Sequence, residues 1–199
     1  MEVFVYRHGA DAVEEGVRLE DVPALLADET VVIWADFRGE TEDDLAKTKD
    51  ALLNVFKFHH LTVEDCLETR HQPKIEAYPD YLYFVVHGVK PEETNPWNFV
   101  TKELDGYLGK NYVVTFHREK FRSIKNVKQQ LRTSPYACQR GSAYLLHQIL
   151  DNLVDYYMPV IDDFDVAIDE MEDKVLAMTN TKTAVLEQIM DVRRAVARL

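Results

Sequence analysis

Glu64 and Asp65 are the residues whose types and spacing most invite chemistry. They lie in the segment Phe58-His59-His60-Leu61-Thr62-Val63-Glu64-Asp65-Cys66-Leu67, and carboxylate oxygens are the natural ligands of hard dications. Thr62 followed three residues later by Asp65 resembles a capping box with Asp in place of Glu or Gln, which predicts a helix carrying both acids in its first turn. The ordinary explanation for them is then the helix dipole, which favours a carboxylate at an N-terminus by about 0.3–1 kcal/mol. Neighbouring helical residues point about 100° apart. Glu64 and Asp65 therefore cannot easily chelate one ion together; if both bind cations, they serve two sites.

A second acid load follows: Asp151, Asp155, Asp162, Asp163, Asp165, Asp169, Glu170, Glu172 and Asp173, opposed in that stretch only by Lys174. Like charges three or four apart on a helix cost a few tenths of a kcal/mol per pair. Most of these acids read as a solvated face, relieved by salt and by Arg193, Arg194 and Arg198 further along. Divalent cations are the sharper alternative. Asp151 and Asp155 stand apart, because they adjoin an apolar stripe close to the sheet-forming half of the chain. His59, His60 and His71 with Glu64 lack every common zinc spacing and read as ordinary surface or half-buried histidines. Cys66 and Cys138 read as small buried hydrophobes. There is no GxSxG, P-loop or GxGxxG, so no enzyme activity is expected. A metallohydrolase using His59, His60 and Glu64 is the weakest of the alternatives.

The elements that must position these residues fall into two regimes. Up to about residue 135, strand patterns alternate with short helices. Val3 to Tyr6, Val31 to Phe37 and Tyr81 to Val89 read as strands, and Leu104 to Leu108 and Asn111 to His117 as a hairpin turning at Gly109-Lys110. Pro23 to Ala27, Glu42 to Phe56 and Phe121 to Leu131 read as helices. This predicts an α/β sandwich with a mixed sheet over residues 1–140. Over 141–199, Leu146, Leu150, Leu153, Tyr157, Ile161, Phe164, Ile168, Met171 and Val175 form one stripe on a helix of about ten turns. Pro159 should bend it. A polar break at Thr179-Asn180-Thr181-Lys182-Thr183 precedes a second stripe of Val185, Ile189, Val192, Val196 and Leu199, predicting a long antiparallel helical hairpin. Arg193 to Leu199 stops in mid-pattern without glycine or proline, as a helix that continues would.

The chain has 199 residues, a formal charge of −12 and 46% hydrophobic residues. It is long enough to fold, and its acidity argues against a nucleic-acid partner. Two distant cysteines give no disulfide framework, so a reducing, cytoplasmic setting is expected. The start MEVFVYRHG is no secretory signal, and the apolar run Tyr81 to Val86 is far shorter than the roughly 20 residues of a membrane helix, so the chain as it stands reads as soluble.

Four stretches in register resemble the CorA family of magnesium and cobalt transport proteins. His59-His60-Leu61-Thr62-Val63-Glu64-Asp65 is similar to the family's H-P-L-x-x-E-D segment. Gln72-Pro73-Lys74-Ile75-Glu76-Ala77-Tyr78-Pro79-Asp80-Tyr81-Leu82 is similar to its R-P-K-x-E-x-Y-x-D-Y-L/F stretch. Residues 144–157, YLLHQILDNLVDYY, resemble its Y-L-L-x-x-L-x-D-x-L-V-D-x-Y helix, and Leu108 to Thr115 fits a family strand pair. His60 stands where the family has proline and Gln72 where it has arginine; neither change removes a carboxylate.

The resemblance implies a pentamer at the cell inner membrane, with this portion on the cytoplasmic side as an α/β/α domain followed by an acidic two-helix projection. The stalk, the two membrane helices and the pore's Gly-Met-Asn motif would then lie outside residues 1–199. It also implies regulatory Mg²⁺ sites between neighbouring subunits. Asp65 matches a carboxylate of the first site, and Glu64 and Asp151 match carboxylates of the second. The expected function is metal sensing in a divalent-cation channel for Mg²⁺, with Co²⁺ or Ni²⁺ as further cargo. A zinc-transporting relative and an acidic scaffold for a basic partner are the alternatives.

Overall fold

The structure, a computed structural model, describes residues 1–68, 72–92, 95–176 and 182–197. His71, Thr179 to Thr181, Arg198 and Leu199 lie outside the described residues, as do the side chains of Lys174, Val175 and Val185. Contacts divide the chain into two compact units, one of residues 1–87 and 103–153, the other of 88–102 and 154–199.

Seven strands form one sheet: β1 (Glu2–Arg7), β2 (Glu14–Glu15), β3 (Val31–Arg38), β4 (Lys74–Ala77), β5 (Tyr81–Glu92), β6 (Asn95–Gly109) and β7 (Tyr112–His117). Their order is β2-β1-β3-β7-β6-β5-β4. β3 and β7 run parallel, with Asp36 beside Thr115, while β6 and β7 are antiparallel, with Leu108 beside Val113. The sheet is mixed, as the pattern of crossovers and a hairpin requires. The hairpin turn sits one residue later than the sequence predicts, on Lys110-Asn111. Gly109 closes β6 because a Cβ there would lie 2.2 Å from the Tyr112 ring. β2, β4, the short helix Tyr136–Gln139 and the first half of β6 carry no clear strand or helix pattern and were not expected.

In the first unit the helices are α1 (Val22–Leu26), α2 (Glu42–Asp50), α3 (His60–Leu67), α4 (Arg122–Thr133), α5 (Tyr136–Gln139) and α6 (Ser142–Val154). Side-chain alternation puts Val3, Val5, Ile33, Ala35 and Phe37 on one face of the sheet, where they share a core with Val22, Ala51, Leu52, Val63 and Cys66. Residues of the opposite parity, Phe4 and Trp34, meet α4, whose Lys128 ammonium lies 5.9 Å from each ring. Helices thus cover both faces, giving the α/β/α sandwich.

A buried polar network crosses that second face. Lys128 Nζ lies 2.6 Å from Asp36 Oδ2 and His117 Nε2 lies 3.3 Å from Asp36 Oδ1. Thr115 donates its hydroxyl to Asp36 at 2.5 Å and accepts from Trp34 Nε1 at 3.0 Å. Burial alone would raise the Asp36 carboxyl, but the bond to His117 and the charges of His117 and Lys128 hold it below the ordinary range.

In the second unit, Val160, Phe164, Ala167 and Met171 of α7 (Tyr157–Leu176) pack with Val192 and Ala195 of α8 (Lys182–Val196) and with Val89 and Phe99 of the β5–β6 ends. This is the helical hairpin. The ten-turn helix is interrupted at residues 155–156, one turn before Pro159, which has no N–H to offer the carbonyl four residues earlier. Among the described residues no helix is long and apolar enough to cross a membrane.

Removing the Lys128 ammonium leaves Asp36 short of a partner in a site that is 3% exposed. Lys128→Met is expected to destabilise the fold by about 3–5 kcal/mol in urea unfolding; an unchanged midpoint would show that Lys128 does not compensate Asp36.

Candidate metal centre

Helix α3 is set in place from both ends of a short aromatic stack. Lys57 takes a left-handed φ of 60°, and the Phe58 N–H reaches back to the Leu52 carbonyl at 3.0 Å, which closes the preceding helix as a glycine would. Phe58 then stacks on Tyr107, with centroids 3.9 Å apart and planes 4° from parallel. The Tyr107 hydroxyl donates to the Thr62 carbonyl at 2.9 Å, and the Tyr81 hydroxyl accepts the His59 N–H at 3.0 Å. Thr62, Val63 and Cys66 are buried as a result, so Glu64 is turned outward and Asp65 is left half-buried on the flank.

The capping box expected at Thr62 and Asp65 is not formed. His59 is the cap, its Nδ1 accepting the Leu61 N–H at 3.3 Å, and α3 starts at His60. Thr62 is already inside the helix and donates its hydroxyl to the His59 carbonyl at 2.9 Å. No acid lies in the first turn of α3. The dipole, which fades beyond that turn, therefore does not account for Glu64 and Asp65.

Asp65 has a different partner. Lys74 Nζ, at the start of β4, lies 2.6 Å from Asp65 Oδ2 and 2.9 Å from Glu76 Oε1. The bond to Asp65 is the largest influence raising the Lys74 ammonium above its usual range. Lys74 also lies 5.3 Å from the centroid of the Tyr83 ring. Beneath it, the Tyr83 hydroxyl donates to Asp105 Oδ1 at 2.6 Å. Burial pushes the Asp105 carboxyl up to about 8; the Tyr83 bond opposes this, while the neighbouring Glu103 carboxylate adds to it.

Asp151 lies on α6, on the side away from the buried Leu145, Ile149 and Leu153, and is exposed, as is Asp155. Glu64 and Asp65 sit on one helix and Asp151 on another. Among the described residues no three His, Cys, Asp or Glu side chains converge as a metal site. On α7, Asp162, Asp165, Asp169 and Asp173 are exposed while Phe164 and Ala167 are buried, so the acid run is an outer face. Arg194 is held by Asp191 of its own helix at 2.7 Å, so its charge is already engaged there. Cys66 and Cys138 are both buried; burial pushes the Cys66 thiol far up and the Cys138 thiol up to about 12. His59 and His60 are exposed, and His59 spends Nδ1 on its cap.

The donor set on offer is thus carboxylate oxygen, and Asp65 already holds one cation, the ammonium of Lys74. That chemistry fits a hard dication that takes few protein carboxylates and keeps several waters. Sequence reasoning passed over Lys74, Glu76 and the Tyr83–Asp105 pair as functional residues. The sequence signs of Lys74 and Glu76 are their place in the R-P-K-x-E-x-Y stretch and the Lys-x-Glu spacing, which puts two opposite charges on one side of a strand.

The family described as CorA-like Mg2+ transporter protein matches residues 29–199. YfjQ of Bacillus subtilis (strain 168) is 29% identical over 160 residues, covering 80% of this chain and 47% of YfjQ. The cobalt/magnesium transport protein CorA of Thermotoga maritima is 26% identical over 166 residues, covering 82% of this chain and 46% of that protein. The chain therefore spans about half the length of these relatives. Among solved structures, the soluble domain of CorA from Methanocaldococcus jannaschii superposes with a TM-score of 0.69 at 21% identity, covering 98% of this chain and 72% of that one. The cytoplasmic domain of ZntB from Vibrio parahaemolyticus gives 0.57 at 14% identity, covering 98% and 73%. At these identities the structural likenesses speak to the fold.

Asp105 makes stability pH-dependent. Between about pH 4 and pH 8 the folded chain holds a proton on Asp105 that the unfolded chain has released, so stability falls as pH rises through that window. Asp105→Asn keeps an oxygen for Tyr83 and cannot ionise. Its stability advantage over the wild type is expected to grow from pH 5 to pH 8, reaching on the order of 2 kcal/mol in denaturant melts. Parallel pH profiles would contradict this.

Proposed function

The chain belongs to the CorA-like Mg2+ transporter family, and from that premise we propose that it is the cytoplasmic metal-sensing portion of a divalent-cation channel. The cargo is Mg²⁺, with Co²⁺ and Ni²⁺ as further candidates. The observation that carries this reading is the placement of Glu64 and Asp65: two adjacent carboxylates in the last turn of α3, where the dipole disfavours negative charge, on different faces of the helix, one of them already paired with a cation.

In a pentamer at the inner membrane, Asp65 would face a neighbouring subunit at one regulatory site, and Glu64 and Asp151 would contribute to another. The tie to the bilayer would be made by segments other than the described residues. A bound dication supplies two positive charges between like-charged subunit faces. The protein's own part is repulsion: the bare carboxylates at Glu64 and Asp151 push neighbouring faces apart and disfavour the closed arrangement. Their differential affinity for the ion in the two arrangements sets the gating bias. Zinc would call for imidazole or thiolate donors. Cys66 is buried, and Glu64, Asp65 and Asp151 offer carboxylate oxygen, the donor that suits Mg²⁺.

In the full-length protein, Asp65→Ala or Glu64→Ala is expected to raise the Mg²⁺ concentration that half-inhibits ion uptake by about fivefold or more. Unchanged inhibition in both variants would remove these residues from the mechanism.

A further inference from the structure

Lys74 has two partners where one would do. Lys74 and Glu76 lie two residues apart on β4 and so project to the same side of the strand. The Lys74 ammonium lies 2.6 Å from Asp65 Oδ2 and 2.9 Å from Glu76 Oε1. Its side chain is 28% exposed, Asp65 is 36% exposed and Glu76 41% exposed. Ion pairs this wet contribute little to stability, and the ammonium, resting over the Tyr83 ring, keeps more than a quarter of its side chain open to water. The cluster is therefore poorly explained as a structural staple and well suited to exchange.

The geometry points to Lys74 as a tethered competitor for Asp65: its ammonium neutralises the carboxylate while no dication is there and shifts onto Glu76 when Asp65 takes one. This rests on the reading of Asp65 as a dication ligand. Filling the site then means exchanging an internal cation for an external one. The apparent dissociation constant equals the intrinsic one divided by the fraction of molecules in which Asp65 is free of Lys74. Glu76 sets that fraction, because it is the alternative seat of the ammonium. A sensor that must empty when the ion becomes scarce gains the weak affinity it needs without losing a ligand. Bare Asp65 is also spared a standing negative charge within its own subunit.

Simple charge effects through space would also make loss of Lys74 tighten binding and loss of Glu76 weaken it. The exchange makes a further demand that they do not: Glu76 should matter only while Lys74 is present. The test is the melting temperature of the full-length protein against MgCl₂ at constant ionic strength, which reports an apparent affinity without measuring transport. Lys74→Gln is expected to lower the half-maximal Mg²⁺ concentration about fivefold, and Glu76→Gln to raise it several-fold. The double variant K74Q/E76Q is expected to match K74Q, with the Glu76 effect gone. Lys74→Arg, which keeps the charge, is expected to stay near the wild type.

An unchanged midpoint in K74Q, or a Glu76→Gln effect that persists undiminished in the K74Q background, overturns the exchange. Should K74Q fail to fold, E76Q alone decides, because no weakening there also overturns it. Asp65→Asn separates the two levels. If it loses the Mg²⁺ response while K74Q leaves the midpoint unmoved, only the role of Lys74 falls. If Asp65→Asn responds as the wild type does, the assignment of Asp65 falls and this inference with it.

Discussion

Negative charge on α3 that no helix end compensates is the constraint on which the rest depends. Glu64 and Asp65 sit in the last turn of the eight-residue α3, where the helix dipole disfavours a carboxylate. Asp65 finds an ammonium within its own chain, whereas Glu64 stands outward in water. The positions of both follow from aromatic packing. Phe58 lies flat on Tyr107, the Tyr81 and Tyr107 hydroxyls engage α3 at its start, and the buried Val63 and Cys66 decide which residues remain outside. A site on this helix is thus only as well defined as the stack beneath it.

The sheet behind α3 carries an unusual amount of interior charge. On one side, Asp36 is held ionised by His117 and Lys128. On the other, Asp105 is pushed towards its neutral form by burial and by Glu103, while Tyr83 joins it to the ring over which Lys74 lies. Buried ionic groups of this kind are weak contributors to net stability but costly to break. Both networks hang on strand residues whose partners come from distant parts of the sequence, and they tie strand register to helix placement.

Much of the architecture is legible in the residue pattern. The apolar runs at Val31 to Phe37 and Tyr81 to Val89, and the α4 and α7 stripes, declare their elements because burial on one face forces a period. Pro159 declares the interruption before it. The start of α3 is not legible, and the reason is instructive. Thr41-Glu42-Asp43-Asp44 has the same Thr-x-x-Asp spacing as Thr62 to Asp65 and does form a capping box, with Asp44 N–H on the Thr41 hydroxyl at 3.1 Å and Thr41 N–H on Asp44 at 3.0 Å. At Thr62 the same pattern fails because His59 takes the cap first and the hydroxyl bonds backward. Local spacing cannot tell which of two competing caps wins once tertiary packing sets where the helix begins. β4 escaped notice because Lys74-Ile75-Glu76-Ala77 is an edge strand whose Ile75 is 73% exposed, so it shows no buried face. The matching of Glu64, Asp65 and Asp151 to regulatory carboxylates, and the pairing of Glu64 with Asp151, rest on resemblance, whereas the separation of Glu64 from Asp65 follows from helix geometry.

The central claim is that Asp65 and Glu64 each hold a dication, at separate places, against a neighbouring subunit. The most direct measurement is a crystal structure of the full-length protein grown with Co²⁺ and recorded at the cobalt absorption edge. Two distinct anomalous peaks per subunit are expected, one beside Asp65 and another beside Glu64, each also facing a residue of the adjacent subunit. A single peak shared by both carboxylates, or no peak along α3, would contradict the account.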